Sequence, residues 1–148
     1  MVIIGAGPGG YEAASVAAAG GVDVTVVEET GIGGAAVLTD CVPSKTLIAT
    51  AEVTSTLRRA AELGLRHTET FEVDLDAVNS RVRQLAQAQS DDISRGLERK
   101  GVRLISGRAR LATGAPGHLH RVVINDDETI DADIVPVSYT HLRAHETV

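Results

Sequence analysis

Apolar positions along this chain alternate between short continuous runs and helix-spaced stripes. Residues 2–4 (Val-Ile-Ile) form a brief apolar run of the kind found in buried parallel strands. Residues 22–27 (VDVTVV) are largely β-branched and lie between Gly20-Gly21 and Glu28-Glu29, which predicts a second strand. The alanine-rich stretch 11–18 between them suits a helix packed close to a sheet. From 43 to 63, Leu47, Ile48, Ala51, Leu57 and Ala61 recur near helical spacing, with Gly64 as a stop. Residues 74–100 carry a second stripe, Leu75, Val78, Val82, Leu85, Ile93 and Leu97, closed by Gly101. A strand over 102–106 (VRLIS) follows. Strands over 120–124 and 128–130 straddle the hairpin-like turn Asn125-Asp126-Asp127, and 133–135 opens another apolar strand.

Between the first strand and the first helix stands Gly5-Ala6-Gly7-Pro8-Gly9-Gly10. Alone, a GxGxxG string is only a glycine-rich turn. Here it sits in a strand–loop–helix–strand–acid sequence of about 30 residues, the arrangement of a βαβ dinucleotide unit. Gly5 permits the tight turn, Gly7 lets a pyrophosphate approach the backbone, and Gly10 lets helix and strand pack closely. Pro8 and Gly9 complete the cofactor-binding loop, with the phosphates at the helix N-terminus. Glu28 ends the second strand, where a carboxylate accepts hydrogen bonds from ribose hydroxyls. Glu29 reads as a plain exposed acid.

A second glycine-rich segment runs from Gly31-Ile32-Gly33-Gly34-Ala35-Ala36 to Cys41-Val42-Pro43-Ser44-Lys45. It resembles the active-site segment of the FAD-containing pyridine nucleotide–disulfide oxidoreductases, in which a Gly-Gly-Thr-Cys…Cys-(Ile/Val)-Pro-Ser-Lys stretch carries a redox disulfide. The resemblance covers roughly residues 2–135, with its specific motifs inside 2–45. It implies that Gly33 and Gly34 bind near the FAD pyrophosphate and ribityl. It also implies that Cys41 is the flavin-proximal cysteine and that Lys45, one helical turn on, shares its face. These two are the candidate catalytic residues. Ala109, after Gly107-Arg108, is the residue whose backbone would contact adenine. Ala36 stands where a disulfide reductase has its interchange cysteine, and Cys41 is the only cysteine of the 148 residues, so no intrachain disulfide can form on them.

The resemblance therefore implies an α/β fold, a Rossmann-like FAD-binding domain with a parallel sheet, flanking helices and a β-meander, truncated. The implied function is that of an N-terminal FAD-binding fragment. Its whole protein would be an FAD-dependent NAD(P)H oxidoreductase passing electrons to a quinone-like small-molecule acceptor without a redox disulfide. Alternatives are a fragment of a dihydrolipoamide dehydrogenase-like disulfide reductase, and an isolated FAD-binding module without activity. An NAD-only Rossmann dehydrogenase leaves the GIGG…CVPSK segment unexplained. For the whole protein a homodimer is implied.

Residues 1–135 read as the N-terminal part of an FAD/NAD(P)-binding domain. Residues 136–148 read as a non-native tail of the kind left by a translated adapter, starting at a proline that cannot donate in a central strand.

The net charge of −6 and pI near 5.3 speak against nucleic acid as a partner, as does an aromatic content of only 2%, too small for a base-stacking surface. No apolar run approaches the ~20 residues of a membrane span, and the Gly/Pro cluster interrupts any signal-like stretch at the start. A lone cysteine fits a reducing compartment, hence the cytoplasm. The histidines, His118 and His120 among them, have no metal-ligand spacing, so no metal is expected.

Overall fold

In the computed structural model, which describes residues 1–65 and 72–138, the chain forms three layers. The middle layer is a parallel sheet of β1 (Val2–Ile4), β2 (Thr25–Glu28) and β3 (Arg103–Ser106), in that order. Helices α1 (Pro8–Ala19) and α4 (Leu75–Arg99) pack on one face. An antiparallel meander of β4 (Ala109–Ala112), β5 (His120–Ile124) and β6 (Glu128–Ala132) covers the other.

Strand alternation divides the core between the two faces. Ile3, Val24 and Val26 pack with Ala6, Ala14, Leu97 and Val102 on the helix side. Val2, Ile4 and Val27 pack with Ala109, Val122, Ile124 and Ala132 on the meander side. β1 and most of β2 are buried on both faces, whereas the edge strand β3 is half-buried at Leu104 and Ile105 and exposed at Arg103 and Ser106.

Several elements depart from the sequence expectation. Helix α1 begins at Pro8, three residues before the expected start, because proline suits the first helical position and needs no N–H partner there. The second strand begins at Thr25, and Val22 before it is 47% exposed. Two elements were not expected: α2 (Gly34–Leu38) and β4 itself, of which Ala109 is the first residue.

Helix α3 (Cys41–Arg58) corrects the expected apolar stripe. Leu47, Ile48, Ala51, Leu57 and Ala61 are all exposed, and no α3 residue is fully buried. The half-buried face is Val42, Thr46, Thr50 and Thr54, spaced four apart. Each of these threonine hydroxyls donates to the carbonyl four residues back, at 2.8, 3.2 and 2.9 Å, so its own helix satisfies it and the methyl is left to pack. A 3₁₀ turn (Ala60–Leu63) follows. In α4 the Asp74 side chain caps the helix by accepting from the Ala77 N–H at 2.9 Å. Its expected stripe is packed at Leu97 and Ile93, while Leu75 and Leu85 are exposed.

The segment after β6 runs beside β1. The Val2 N–H donates to the Ile134 carbonyl at 3.1 Å, and the Ile4 N–H to the Pro136 carbonyl at 3.0 Å. The Ser138 N–H donates to the Ile4 carbonyl at 2.8 Å, and Val137 bridges Ile4 in parallel. Pro136 serves this edge through its carbonyl, so its missing N–H costs that bond nothing. The remainder of the expected tail, residues 139–148, lies outside the described residues.

Candidate functional site

The carboxyl ends of β1, β2 and β3 converge on one cleft, the place where open parallel sheets bind ligands. Backbone bonds continue past the strand ends. The Gly5 N–H donates to the Val27 carbonyl at 2.9 Å, and the Gly107 N–H to the Glu28 carbonyl at 2.9 Å. The cleft has a volume of about 520 Å³, within the range of small-molecule and cofactor sites.

Two glycine loops form its floor. Gly5 turns the chain with φ 95°, a conformation open chiefly to glycine. A Cβ on Gly10 would fall on the Gly5 carbonyl, so helix α1 can leave the strand only because position 10 is bare. Gly7 caps α1, and the second loop closes against it. A Cβ on Gly34 would stand 3.0 Å from the Gly7 Cα. The Gly33 N–H donates to the Ala6 carbonyl at 2.8 Å, locking the two loops together. Gly7 and Gly34 are half-buried and offer only main chain to the cleft. Ser138 lies beside the first loop, where a Cβ on Gly7 would stand 3.6 Å from the Ser138 carbonyl oxygen.

Glu28 stands at the end of β2. Its Oε2 accepts from the Ala6 N–H at 2.7 Å, and its Oε1 from the Thr30 N–H and hydroxyl at 2.8 Å each and from the Gly31 N–H at 3.4 Å. Partial burial pushes this carboxyl up. The hydrogen bonds from Ala6, Thr30 and Gly31 outweigh it and hold the group below its usual 4.5. The third wall is Gly107, Arg108 and Ala109, between β3 and β4.

Of the residues expected to bind a cofactor, the structure brings Gly5, Gly7, Pro8, Glu28, Gly34 and Ala109 to this cleft. Gly9, Gly10 and Gly33 shape its two loops without lining it. Cys41 and Lys45 lie elsewhere. Cys41 opens α3, Lys45 is one turn further, and both are exposed and outside the lining. Ala36 lines the cleft, as do Glu29, read from sequence as a plain strand-end acid, and Thr30, Arg108 and Ser138. Arg108 follows a strand end and Thr30 follows Glu28, the one sequence signal that points to them. Among the described residues no group of His, Cys, Asp and Glu is placed to hold a metal, and no helix is long and apolar enough to cross a membrane.

Known proteins resemble this chain in sequence and fold. Residues 1–133 match the family profile described as pyridine nucleotide-disulphide oxidoreductase. The chain is 44% identical to the NAD(P)H dehydrogenase (quinone) of Mycobacterium tuberculosis, over 93% of this chain and 30% of that protein. It is 36% identical to a dihydrolipoyl dehydrogenase of Chlamydia muridarum, over 74% of this chain and 23% of that one. The crystal structure of LpdA from Mycobacterium tuberculosis superimposes with a TM-score of 0.81 at 45% identity, over 92% of this chain and 30% of that one. The chain thus spans about 30% or less of the length of these relatives.

Proposed function

The chain belongs to the pyridine nucleotide-disulphide oxidoreductase family, and on that premise we propose that it forms the N-terminal FAD-binding part of a flavoprotein NAD(P)H oxidoreductase. The acceptor in this reading is a quinone-like small molecule, and no redox disulfide takes part. The observation that carries it is the pair of bare glycine loops, Gly7 against Gly34, with the Glu28 carboxylate beside them.

These residues fit the ADP half of FAD. Gly7 and Gly34 leave the pyrophosphate access to main-chain N–H groups at the start of α1, where the helix dipole favours negative charge. Glu28 is held anionic by the Ala6, Thr30 and Gly31 amides, and a carboxylate so held accepts bonds from ribose hydroxyls. Gly107 to Ala109 flank the adenine end. Bound FAD would supply the two-electron acceptor for hydride from NAD(P)H.

The likeness of Cys41-Val42-Pro43-Ser44-Lys45 to the family segment supports reading Cys41 and Lys45 at the flavin end. Lys45 contributes positive charge. Cys41 has no second thiol within the 148 residues, because position 36 is alanine. Thiol–disulfide exchange through a dithiol needs two sulfurs, so direct transfer to the acceptor is favoured over the dihydrolipoyl dehydrogenase chemistry named for some relatives. We read the whole protein as a cytoplasmic homodimer.

The test is to purify the protein from its natural gene and assay NADH and NADPH with a quinone and with lipoamide. A yellow protein that reduces the quinone, and keeps most of that activity as Cys41→Ser, supports the reading. A colourless protein that holds NAD tightly would sink the flavin assignment. Robust lipoamide turnover, lost in Cys41→Ser, would replace the quinone reading with the dithiol one.

A further inference from the structure

The wall of the cleft at Gly107 and Arg108 belongs to neither neighbouring strand, since β3 ends at Ser106 and β4 begins at Ala109. It is held from behind by the β5–β6 turn. The Arg108 N–H donates to the Asn125 Oδ1 at 3.0 Å, and the Asn125 N–H donates to the Arg108 carbonyl at 3.0 Å. The Asn125 Nδ2 donates to the Ser106 carbonyl at 3.4 Å. One residue thus binds both main-chain polar groups of Arg108 and the carbonyl two residues earlier. Gly107 lies under the same carboxamide, and a Cβ there would collide with it.

We propose that Asn125 is a positioning residue for the adenine end of the cleft, fixing the Gly107–Ala109 backbone in the conformation that a bound adenosine meets. The inference rests on the FAD reading above. A glycine-containing segment outside a strand has conformational freedom that a ligand must otherwise remove on binding. Three hydrogen bonds from Asn125 remove it beforehand. Asn125 can reach the segment because it sits at φ 51°, a left-handed conformation that asparagine tolerates better than most residues. The turn and the clamp are therefore separable roles of one side chain.

The test compares Asn125→Gly and Asn125→Asp with the unaltered protein, each expressed from the natural gene and stripped of flavin, by titration with ADP and by thermal melting. Asn125→Gly loses the carboxamide's two bonds but also the left-handed penalty at this position. The two offset each other, so Tm should hold. The ADP Kd should rise about fivefold, because the ligand must then order the Gly107–Arg108 backbone itself. Asn125→Asp keeps the acceptor for the Arg108 N–H and gives up only the longer bond to the Ser106 carbonyl, so its ADP Kd should rise less than that of Asn125→Gly. ADP affinity unchanged in Asn125→Gly, or lowered equally in both variants, overturns the inference while the FAD reading stands. An unaltered protein that binds neither ADP nor FAD overturns both.

Discussion

The Ala6 N–H donates to Glu28 Oε2 at 2.7 Å, joining the loop after β1 to the end of β2 across 22 positions of sequence. The Ala6 carbonyl on the same residue accepts from Gly33. One small residue, wholly buried, therefore links the first glycine loop, the acid and the second glycine loop. A methyl is what fits there, and the backbone carries the specificity.

That bond sets a pH dependence. The Glu28 carboxyl is held below its ordinary value of 4.5 in the folded chain. A group with a lowered folded pKa adds stability that is complete above its unfolded pKa and is lost as pH falls through the folded one. Glu28→Gln should therefore be less stable than the unaltered protein at pH 7, because its amide offers one acceptor where two carboxylate oxygens served. The gap between the two should close as pH falls below about 4.5. Urea melts of both proteins from pH 7 to pH 3 check this, and a gap that stays constant across the range counts against it.

Both loops exclude a methyl group, at different cost. Gly34→Ala forces φ 59° on an L-residue and sets a Cβ 3.0 Å from the Gly7 Cα, so it should cost about 1–2 kcal/mol of stability and weaken ADP binding. Gly10→Ala drives its Cβ into the Gly5 carbonyl, where main chain must move. That variant should fail to fold, recovered in the insoluble fraction. A soluble Gly10→Ala protein with normal FAD content would show that α1 can shift away from the turn.

Much of this was legible in the sequence because glycine and capping residues report backbone requirements locally. Asp74 and Gly101 bracket α4, and its observed ends fall within one residue of those expected. Gly5, Gly7 and Gly34 mark the turns that line the cleft for the same reason, and Glu28 marks the end of β2. The strand Ala109–Ala112 (ARLA) has no β-branched residue, and its pairing with β5 comes from the meander, so it left no local signal. Helix α2 is five residues long, too short for a period to show. In α3 the leucines and Ile48 suggested the buried face, whereas threonines that bond their own backbone occupy it. The Asn125 contact with Arg108 spans 17 positions and follows no motif.

The β5–β6 turn offers a stabilising substitution. Asn125 and Asp126 both have positive φ, at 51° and 64°, and the Asp127 N–H donates to the Ile124 carbonyl at 3.2 Å. These are the signs of a type I′ turn, for which Asn-Gly is the preferred pair. Asp126→Gly should raise stability by about 0.5–1 kcal/mol, since glycine carries no left-handed penalty. The ion pair lost, Asp126 with Arg110 at 3.1 Å, is exposed on both sides, and such pairs add little. Thermal melts should show a higher Tm with ADP affinity unchanged, because Asn125 keeps its bonds.

Solubility is the property most exposed to test on α3. Ile48 and Val53 are 56% and 61% exposed, with Leu47 and Leu57 beside them on a helix that buries none of its side chains completely. Apolar surface of this kind drives association when nothing covers it. Replacing it should leave the core untouched, since neither residue belongs to either buried cluster. For the 148-residue chain, Ile48→Glu with Val53→Glu should shift material from aggregate to monomer in gel filtration. The change in unfolding free energy should stay within about 0.5 kcal/mol, the usual range for surface positions. Aggregation equal to that of the unaltered chain would move the cause to another surface, and a large loss of stability would mean that α3 packs these residues in solution.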